Sequence, residues 1–168
     1  MFARRIFYSA TALVALTAGL WALDTRQAAP KFSAKSLDGE KFNNESLKGK
    51  VVLVQFWTTW CPHCRADQAA VDALADEYAG QGLVVLGVDV AESRQKVKDY
   101  LRKTPRSSNI VLNEDTNLPA VFEAKSFPLY VAIDRDGKIA DKHSGEAHED
   151  GLRSMLKKAG LKIETDRP

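Results

Sequence analysis

The spacing of two cysteines constrains this chain more than any other feature, since Cys61 and Cys64 are its only cysteines and two residues separate them. Residues 51–56, just before them, form an almost unbroken apolar run that predicts a buried central strand. Residues 65–78, just after them, repeat apolar positions at helical spacing. A C-x-x-C pair at the turn from a buried strand into a helix is typical of a redox-active dithiol.

The position of the pair also predicts a role for each cysteine. A helix N-terminus favours a thiolate over a thiol, so we expect Cys61 to be the nucleophile. Cys64 lies one helical turn further on the same face, so we expect it to resolve the mixed disulfide. A zinc site is the alternative, but zinc needs four ligands and the chain has only three histidines to join the cysteines. We therefore predict no metal, and we read His143 and His148 as surface residues.

Length and composition set broad limits on the class of protein. The chain has 168 residues, of which 45% are hydrophobic and 27% charged, which are ordinary values for one globular domain with a terminal extension. The formal net charge of +2 is the charge of residues 1–30, so the remainder is nearly neutral. A neutral domain gives no indication of a nucleic-acid partner.

The N-terminus has the pattern of an export segment. Arg4 and Arg5 precede residues 6–23, which carry no charge and are moderately apolar. We assign residues 1–30 to either a cleaved signal peptide or an uncleaved anchor in the inner membrane, and both readings stay open. In both cases we expect residues 31–168 to form a domain outside the cytoplasm, periplasmic or otherwise extracytoplasmic.

Further along the chain, apolar runs and turns alternate. Residues 32–50, with a turn at Asp38 and Gly39, predict a β-hairpin. Strands are expected at 51–57, 83–89, 129–134 and 138–143, with 110–112 as an edge strand. Helices are expected at about 62–79, 92–103, 118–124 and 149–158. This order predicts an α/β fold, a central mixed sheet with helices on both faces plus an N-terminal β-hairpin.

Several of these stretches together resemble the TlpA/ResA-like thiol–disulfide oxidoreductases, thioredoxin-fold proteins of the bacterial envelope. The stretches are residues 37–39 and 47–54, the segment from Phe56 to Arg65, residues 87–90, and Phe127-Pro128 before a strand that ends at residues 133–137. They span about residues 31–160. The resemblance implies that Pro128 is cis and faces the dithiol, leaving the Phe127 backbone free to pair with a substrate chain. The family more often has Thr or Val where this chain has Phe127.

Four further residues are candidates for the site. We predict that Trp60 gives an apolar surface for extended peptides, and that Pro62 occupies the first helical turn beside that surface. His63 can add positive charge or a hydrogen bond near the Cys61 thiolate, making the couple more oxidising. Asp67, three residues after Cys64, can accept its proton. ResA-like relatives carry Glu there, and Asp67 can equally serve to complement the helix dipole.

The resemblance implies an enzyme that needs no cofactor beyond its Cys61–Cys64 disulfide. Its partners are expected to be envelope proteins with cysteine pairs, which it reduces during cytochrome c maturation or copper-site assembly, and a membrane electron donor that recharges it. The Pro62-His63 dipeptide, shared with DsbA-type oxidants, leaves a disulfide oxidant as one alternative. A periplasmic copper-handling protein that uses both cysteines as ligands is the other.

Overall fold

The computed structural model describes residues 26–163, so the expected signal peptide or anchor at residues 6–23 lies outside the described residues. The strands are β1 (Ser33–Ser36), β2 (Lys41–Asn43), β3 (Val51–Trp57), β4 (Leu83–Asp89), β5 (Asn109–Thr116), β6 (Leu129–Ile133) and β7 (Ile139–Ser144). The helices are α1 (Pro62–Tyr78), α2 (Arg94–Lys103), α3 (Leu118–Val121) and α4 (His148–Lys158), with a short 3₁₀ turn at Ala79–Gln81.

The strands form one mixed sheet in the order β2-β1-β5-β4-β3-β6-β7. Parallel pairing joins β3 to β4 and β4 to β5, as expected where helices make the crossovers. The other neighbouring pairs are antiparallel. The predicted fold class is confirmed, and the N-terminal hairpin β1–β2 extends this same sheet.

The central strand β3 is buried along its whole length, which accounts for its continuous apolar sequence. Its side chains alternate between the two faces of the sheet. Val51 and Leu53 pack with α1 and α4, whereas Val52, Val54 and Phe56 lie in the opposite cluster with Phe32 and Phe122. With both faces covered, the end of β3 is held rigidly where the dithiol begins.

Some predicted boundaries differ from the observed ones. The expectation that residues 110–112 form an edge strand is wrong, because β1 pairs with the outer side of β5 and places it inside the sheet. Helix α2 begins at Arg94 instead of residue 92, since the Ser93 side chain accepts a hydrogen bond from the Lys96 N–H at 3.3 Å and caps the helix.

The residues that lead into β1 contact the far side of the sheet. Ala28 forms an isolated bridge with Lys138, and Arg26 forms an ion pair of 2.8 Å with Asp134. The described chain therefore packs against its own domain from residue 26 onward. Among residues 26–163, none of the helices is long and apolar enough to cross a bilayer.

Candidate active site

The dithiol lies at the junction that the sequence predicts, between the end of β3 and the start of α1. Cys61 and Cys64 form a disulfide, and both residues are buried, with 3% and 2% of their surface exposed. Cys61 is the N-cap of α1, and its sulfur accepts a hydrogen bond from the Cys64 N–H at 3.1 Å. Pro62 occupies the first turn, where its missing N–H leaves no bond unmade. The free N–H groups of this turn suit a thiolate at Cys61 once the disulfide opens.

The two tryptophans beside the dithiol differ in exposure. Trp60 is 60% exposed and is the large hydrophobic residue that stands out on the surface of the described domain. Trp57 is buried in one cluster with both cysteines and packs on Tyr100, ring centroids 5.6 Å apart. Trp60 thus offers an apolar contact next to the disulfide, while Trp57 packs in the buried cluster that contains both cysteines.

The Phe127–Pro128 peptide bond is cis, as the resemblance implies. Phe127 is partly buried and packs against the cluster that contains Cys61 and Cys64. The fold therefore brings the dithiol and this loop together across more than sixty residues of sequence. Whether the loop binds substrate stays a prediction.

His63 contacts Glu146, a partner that the sequence did not predict. Its Nδ1 atom lies 2.8 Å from Oε2 of Glu146, in the loop between β7 and α4, and its side chain is 64% exposed. The His63 ring therefore connects the C-x-x-C segment to that loop. Its predicted effect on Cys61 stays a prediction.

Asp67 lies on the Cys64 face of α1 but is fully buried. Its Oδ2 accepts hydrogen bonds from the Tyr130 hydroxyl at 2.9 Å and the Ala147 N–H at 2.8 Å, and its Oδ1 accepts one from the His148 N–H at 3.0 Å. The carboxylate thereby caps α4 from a neighbouring helix, a role that neither prediction for this residue included. Its role as a proton acceptor for Cys64 stays a prediction.

A buried polar network continues from Asp67 through Tyr130 to Gln55 and Arg106. The Gln55 amide donates to the Tyr130 hydroxyl at 3.1 Å and accepts from Arg106 at 2.8 Å. Arg106 also pairs with Asp72 at 3.2 Å and lies 5.1 Å above the Trp57 ring. Burial and the nearby Asp67 carboxylate raise the pKa of Tyr130, which therefore stays a donor. The sequence signal for this network was Gln55, a polar residue in an apolar strand.

A second buried pair, which the sequence analysis missed, holds the loop that precedes the dithiol. The Thr59 N–H and hydroxyl donate to the Glu92 carboxylate at 2.5 and 2.8 Å, and Lys96 pairs with it at 2.6 Å. Asp89, at the end of β4, is fully buried, and neither of its oxygens accepts a hydrogen bond within the described residues. Glu92 thus ties the β3–α1 loop to the end of β4.

The Asp89 and Glu92 carboxyls titrate in opposite directions. Burial, together with the neighbouring Glu92, raises the pKa of Asp89 to about 8. Burial alone would raise the pKa of Glu92, but hydrogen bonds from Lys96, Asp89 and Thr59 outweigh it and lower that pKa to about 2. Near neutral pH the pair therefore holds one proton, which Asp89 carries, while Glu92 stays a carboxylate.

Comparisons with known proteins agree with this site. Residues 25–148 match the AhpC/TSA family. The chain is 35% identical over 131 residues to the thioredoxin-like protein YneN of Bacillus subtilis (strain 168), covering 77% of each chain. It is 28% identical over 130 residues to the thiol-disulfide oxidoreductase ResA of Bacillus anthracis, covering 77% of this chain and 75% of ResA.

Solved structures show the same likeness. A thiol:disulfide interchange protein of the thioredoxin family from Chlorobium tepidum TLS superposes with a TM-score of 0.70 at 26% identity, covering 80% of this chain and 96% of that one. The exposed lipoprotein thioredoxin of Streptococcus pneumoniae strain TIGR4 superposes with a TM-score of 0.65 at 26% identity, covering 76% and 98%. Both likenesses extend over nearly the whole of the described domain.

Proposed function

We propose, from the premise that this chain belongs to the AhpC/TSA family and is a ResA-like thiol–disulfide oxidoreductase, that it reduces disulfides in client proteins outside the cytoplasm. The observation that carries the proposal is the Cys61–Cys64 disulfide at the N-terminus of α1 beside the exposed Trp60 ring. An apolar surface next to a thiolate suits a client segment that is extended or incompletely folded.

The exchange consists of two attacks on sulfur. The Cys61 thiolate attacks one sulfur of the client disulfide, forming a mixed disulfide and releasing the other client sulfur as a thiolate. Cys64 then loses its proton, and its thiolate attacks the Cys61 sulfur, which closes the Cys61–Cys64 bond and releases the second client sulfur. Two electrons pass to the client, whose two thiolates take up protons. Asp67, one turn from Cys64, is the proposed acceptor of the Cys64 proton.

Location and partners form the finer part of the proposal. The basic lead and apolar residues 6–23 support export or anchoring at the inner membrane, and one structural neighbour is described as an exposed lipoprotein. A reductant outside the cytoplasm needs a membrane electron donor to restore its dithiol. Clients with cysteine pairs, such as apocytochromes c or copper-site proteins awaiting metal, fit this chemistry, with no cofactor besides the disulfide.

The reduction potential of the full chain tests the direction of electron flow. The Pro62-His63 dipeptide favours a disulfide oxidant as the second candidate function, because DsbA-type oxidants share it. We expect a potential between about −200 and −270 mV, the range of glutaredoxins and thioredoxin. A value near about −120 mV, that of DsbA, would assign the chain to the oxidants instead.

A trapping experiment tests the exchange itself. Cys64→Ser leaves the Cys61 nucleophile without its resolving partner, so we expect covalent mixed disulfides with a disulfide-bonded client peptide. Cys61→Ser is the matched control and should form none. A copper-handling protein would instead take up Cu(I) stoichiometrically and give no such adducts with either variant.

A further inference from the structure

All three histidines of this chain lie around one acidic residue, Glu146. The Nδ1 atoms of His63 and His148 approach its two carboxylate oxygens at 2.8 and 3.3 Å. His143 contacts the Glu146 backbone oxygen through Nε2 at 3.1 Å. Residues 63 and 148 are far apart in sequence, so the fold collects these imidazoles at one carboxylate.

Asp67 adds a second, buried carboxylate to this cluster. Ligand atoms of Asp67, Glu146 and His148 all lie within 4.8 Å of one another. A carboxylate can accept about four hydrogen bonds, and Asp67 accepts three from residues 26–163, of which one, from the His148 N–H, reaches Oδ1. Oδ1 therefore accepts one bond fewer than a carboxylate oxygen can, and the two bonds to Oδ2 hold the carboxylate in place.

We propose that Asp67, Glu146 and His148 form a binding site for a divalent first-row transition metal such as Zn²⁺. Two carboxylates and one imidazole are a donor set that such cations accept, and the two negative charges match the charge of the ion. Metal–ligand bonds of about 2.0–2.2 Å require these donor atoms to move closer together by about an ångström. The His148 side chain is 75% exposed, so little packing opposes its rotation toward the carboxylates.

The arrangement is that of an open site. Three protein ligands leave a fourth position for water or an exogenous group, as in zinc sites that are not purely structural. His63, already on the same carboxylate, can orient Glu146 through a hydrogen bond. No sulfur atom belongs to the site, so the disulfide form should bind the metal, and the direction of electron flow does not affect the proposal.

The test uses the full chain, purified in detergent without an affinity tag and fully oxidised, so that no thiolate can bind metal. Zn²⁺ is titrated by calorimetry, and Co²⁺ by its visible absorption. We expect one equivalent to bind. His148→Ala and Glu146→Gln should each weaken binding at least tenfold. The matched controls His143→Ala and Glu149→Gln, whose side chains lie outside the ligand set, should stay within twofold.

Two results would overturn the site. One is an oxidised chain that binds no Zn²⁺ or Co²⁺, which leaves only surface ion pairs between the histidines and Glu146. The other is binding that His148→Ala or Glu146→Gln weakens less than tenfold. Circular dichroism confirms that each variant is folded, and should Glu146→Gln fail to fold, the exposed His148→Ala variant decides alone.

Discussion

Asp67 caps helix α4 and is also the proposed acceptor of the Cys64 proton. It stands one turn beyond Cys64 on α1, and its carboxylate accepts the first N–H groups of α4 and the Tyr130 hydroxyl. The capping bonds keep the carboxylate oxygens oriented and favour the charged form, the one that can accept a proton. The two roles can be separated because one concerns stability and the other a rate.

Asp67→Asn should slow the attack of Cys64 on the mixed disulfide at least tenfold, because an amide cannot accept the proton. It should also lower the free energy of unfolding by about 2 kcal/mol, since the amide group replaces an acceptor of buried N–H groups. Stopped-flow decay of a Cys61–glutathione mixed disulfide, followed against pH, measures the rate.

Tyr130→Phe is the control for this prediction. It removes one donor to Asp67 and the acceptor of Gln55 but keeps the carboxylate. We expect lower stability with little change in the resolution rate. If Asp67→Asn resolves the adduct as fast as the unaltered protein at every pH, the carboxylate serves only as a cap.

His63→Ala should make the reduction potential more negative by roughly 20 mV. A positive charge or a hydrogen bond near Cys61 that stabilises the thiolate by about 0.8 kcal/mol favours the dithiol form by this amount. Equilibration with glutathione buffers measures the potential, and His143→Ala, which removes an imidazole outside the C-x-x-C segment, should leave it unaltered. An unchanged potential in His63→Ala would refute any electrostatic role of this ring.

At the scale of elements, the dithiol rests on loops that two buried polar groups hold together. Glu92 ties the β3–α1 loop to the end of β4 through Thr59. Arg106, from the segment before β5, joins β3 at Gln55 and α1 at Asp72. Because buried charges are costly unless they are paired, these contacts specify one arrangement of the loops.

Asp89→Asn tests the carboxyl pair through the pH dependence of stability. The pKa of Asp89 is raised to about 8 in the folded chain, against about 3.9 in an unfolded one. Between these values the folded state binds more protons, so Asp89 lowers stability progressively as pH rises from about 4 to 8. The pKa of Glu92 is lowered to about 2, so Glu92 has the opposite effect. It stabilises the folded state above about pH 4.5, and this stabilisation is lost as the pH falls below that value.

The asparagine variant has no carboxyl proton to lose in this pH range. The free energy of unfolding of Asp89→Asn, relative to that of the unaltered protein, should therefore increase by about 2–5 kcal/mol as the pH rises from about 4 to 8. Urea denaturation at several pH values measures the difference, with Asp136→Asn at an exposed turn as the matched control. Parallel stability profiles would contradict the raised pKa.

At the scale of the whole molecule, redox direction and folding stability are linked. An oxidant such as DsbA is strong because its reduced form is the more stable one. In a reductant, the oxidised form must instead be the more stable of the two. We therefore expect the oxidised chain to be more stable than the dithiol chain by about 2 kcal/mol, equivalent to roughly 40 mV.

Urea denaturation of the two forms, with an unreactive Cys61→Ser/Cys64→Ser variant as the reference for the open state, measures this difference. The comparison includes every interaction that changes with the redox state, so it does not depend on assigning the effect to one residue. A dithiol form that is the more stable of the two would reverse the proposed direction of electron flow.

Local patterns were sufficient for most elements and for part of the site. The apolar run of β3, the helical spacing of α1 and the Asp-Gly turns were each readable within a few residues, and the cysteine pair lies between two of them. The edge assignment of residues 110–112 failed because the strand that covers β5 lies about 75 residues earlier. Glu92, Arg106 and Glu146 were missed because their partners lie between 33 and 83 residues away.

The sequence by itself determined the alternation of strands and helices, the dithiol at a helix start, and the family resemblance, because each depends on neighbours along the chain. Only the tertiary structure decided that His63 meets Glu146, that Asp67 caps α4, and that Glu92 binds Thr59. The reason is that periodicity specifies which face of an element is buried, whereas the polar partners of that face depend on how distant segments pack.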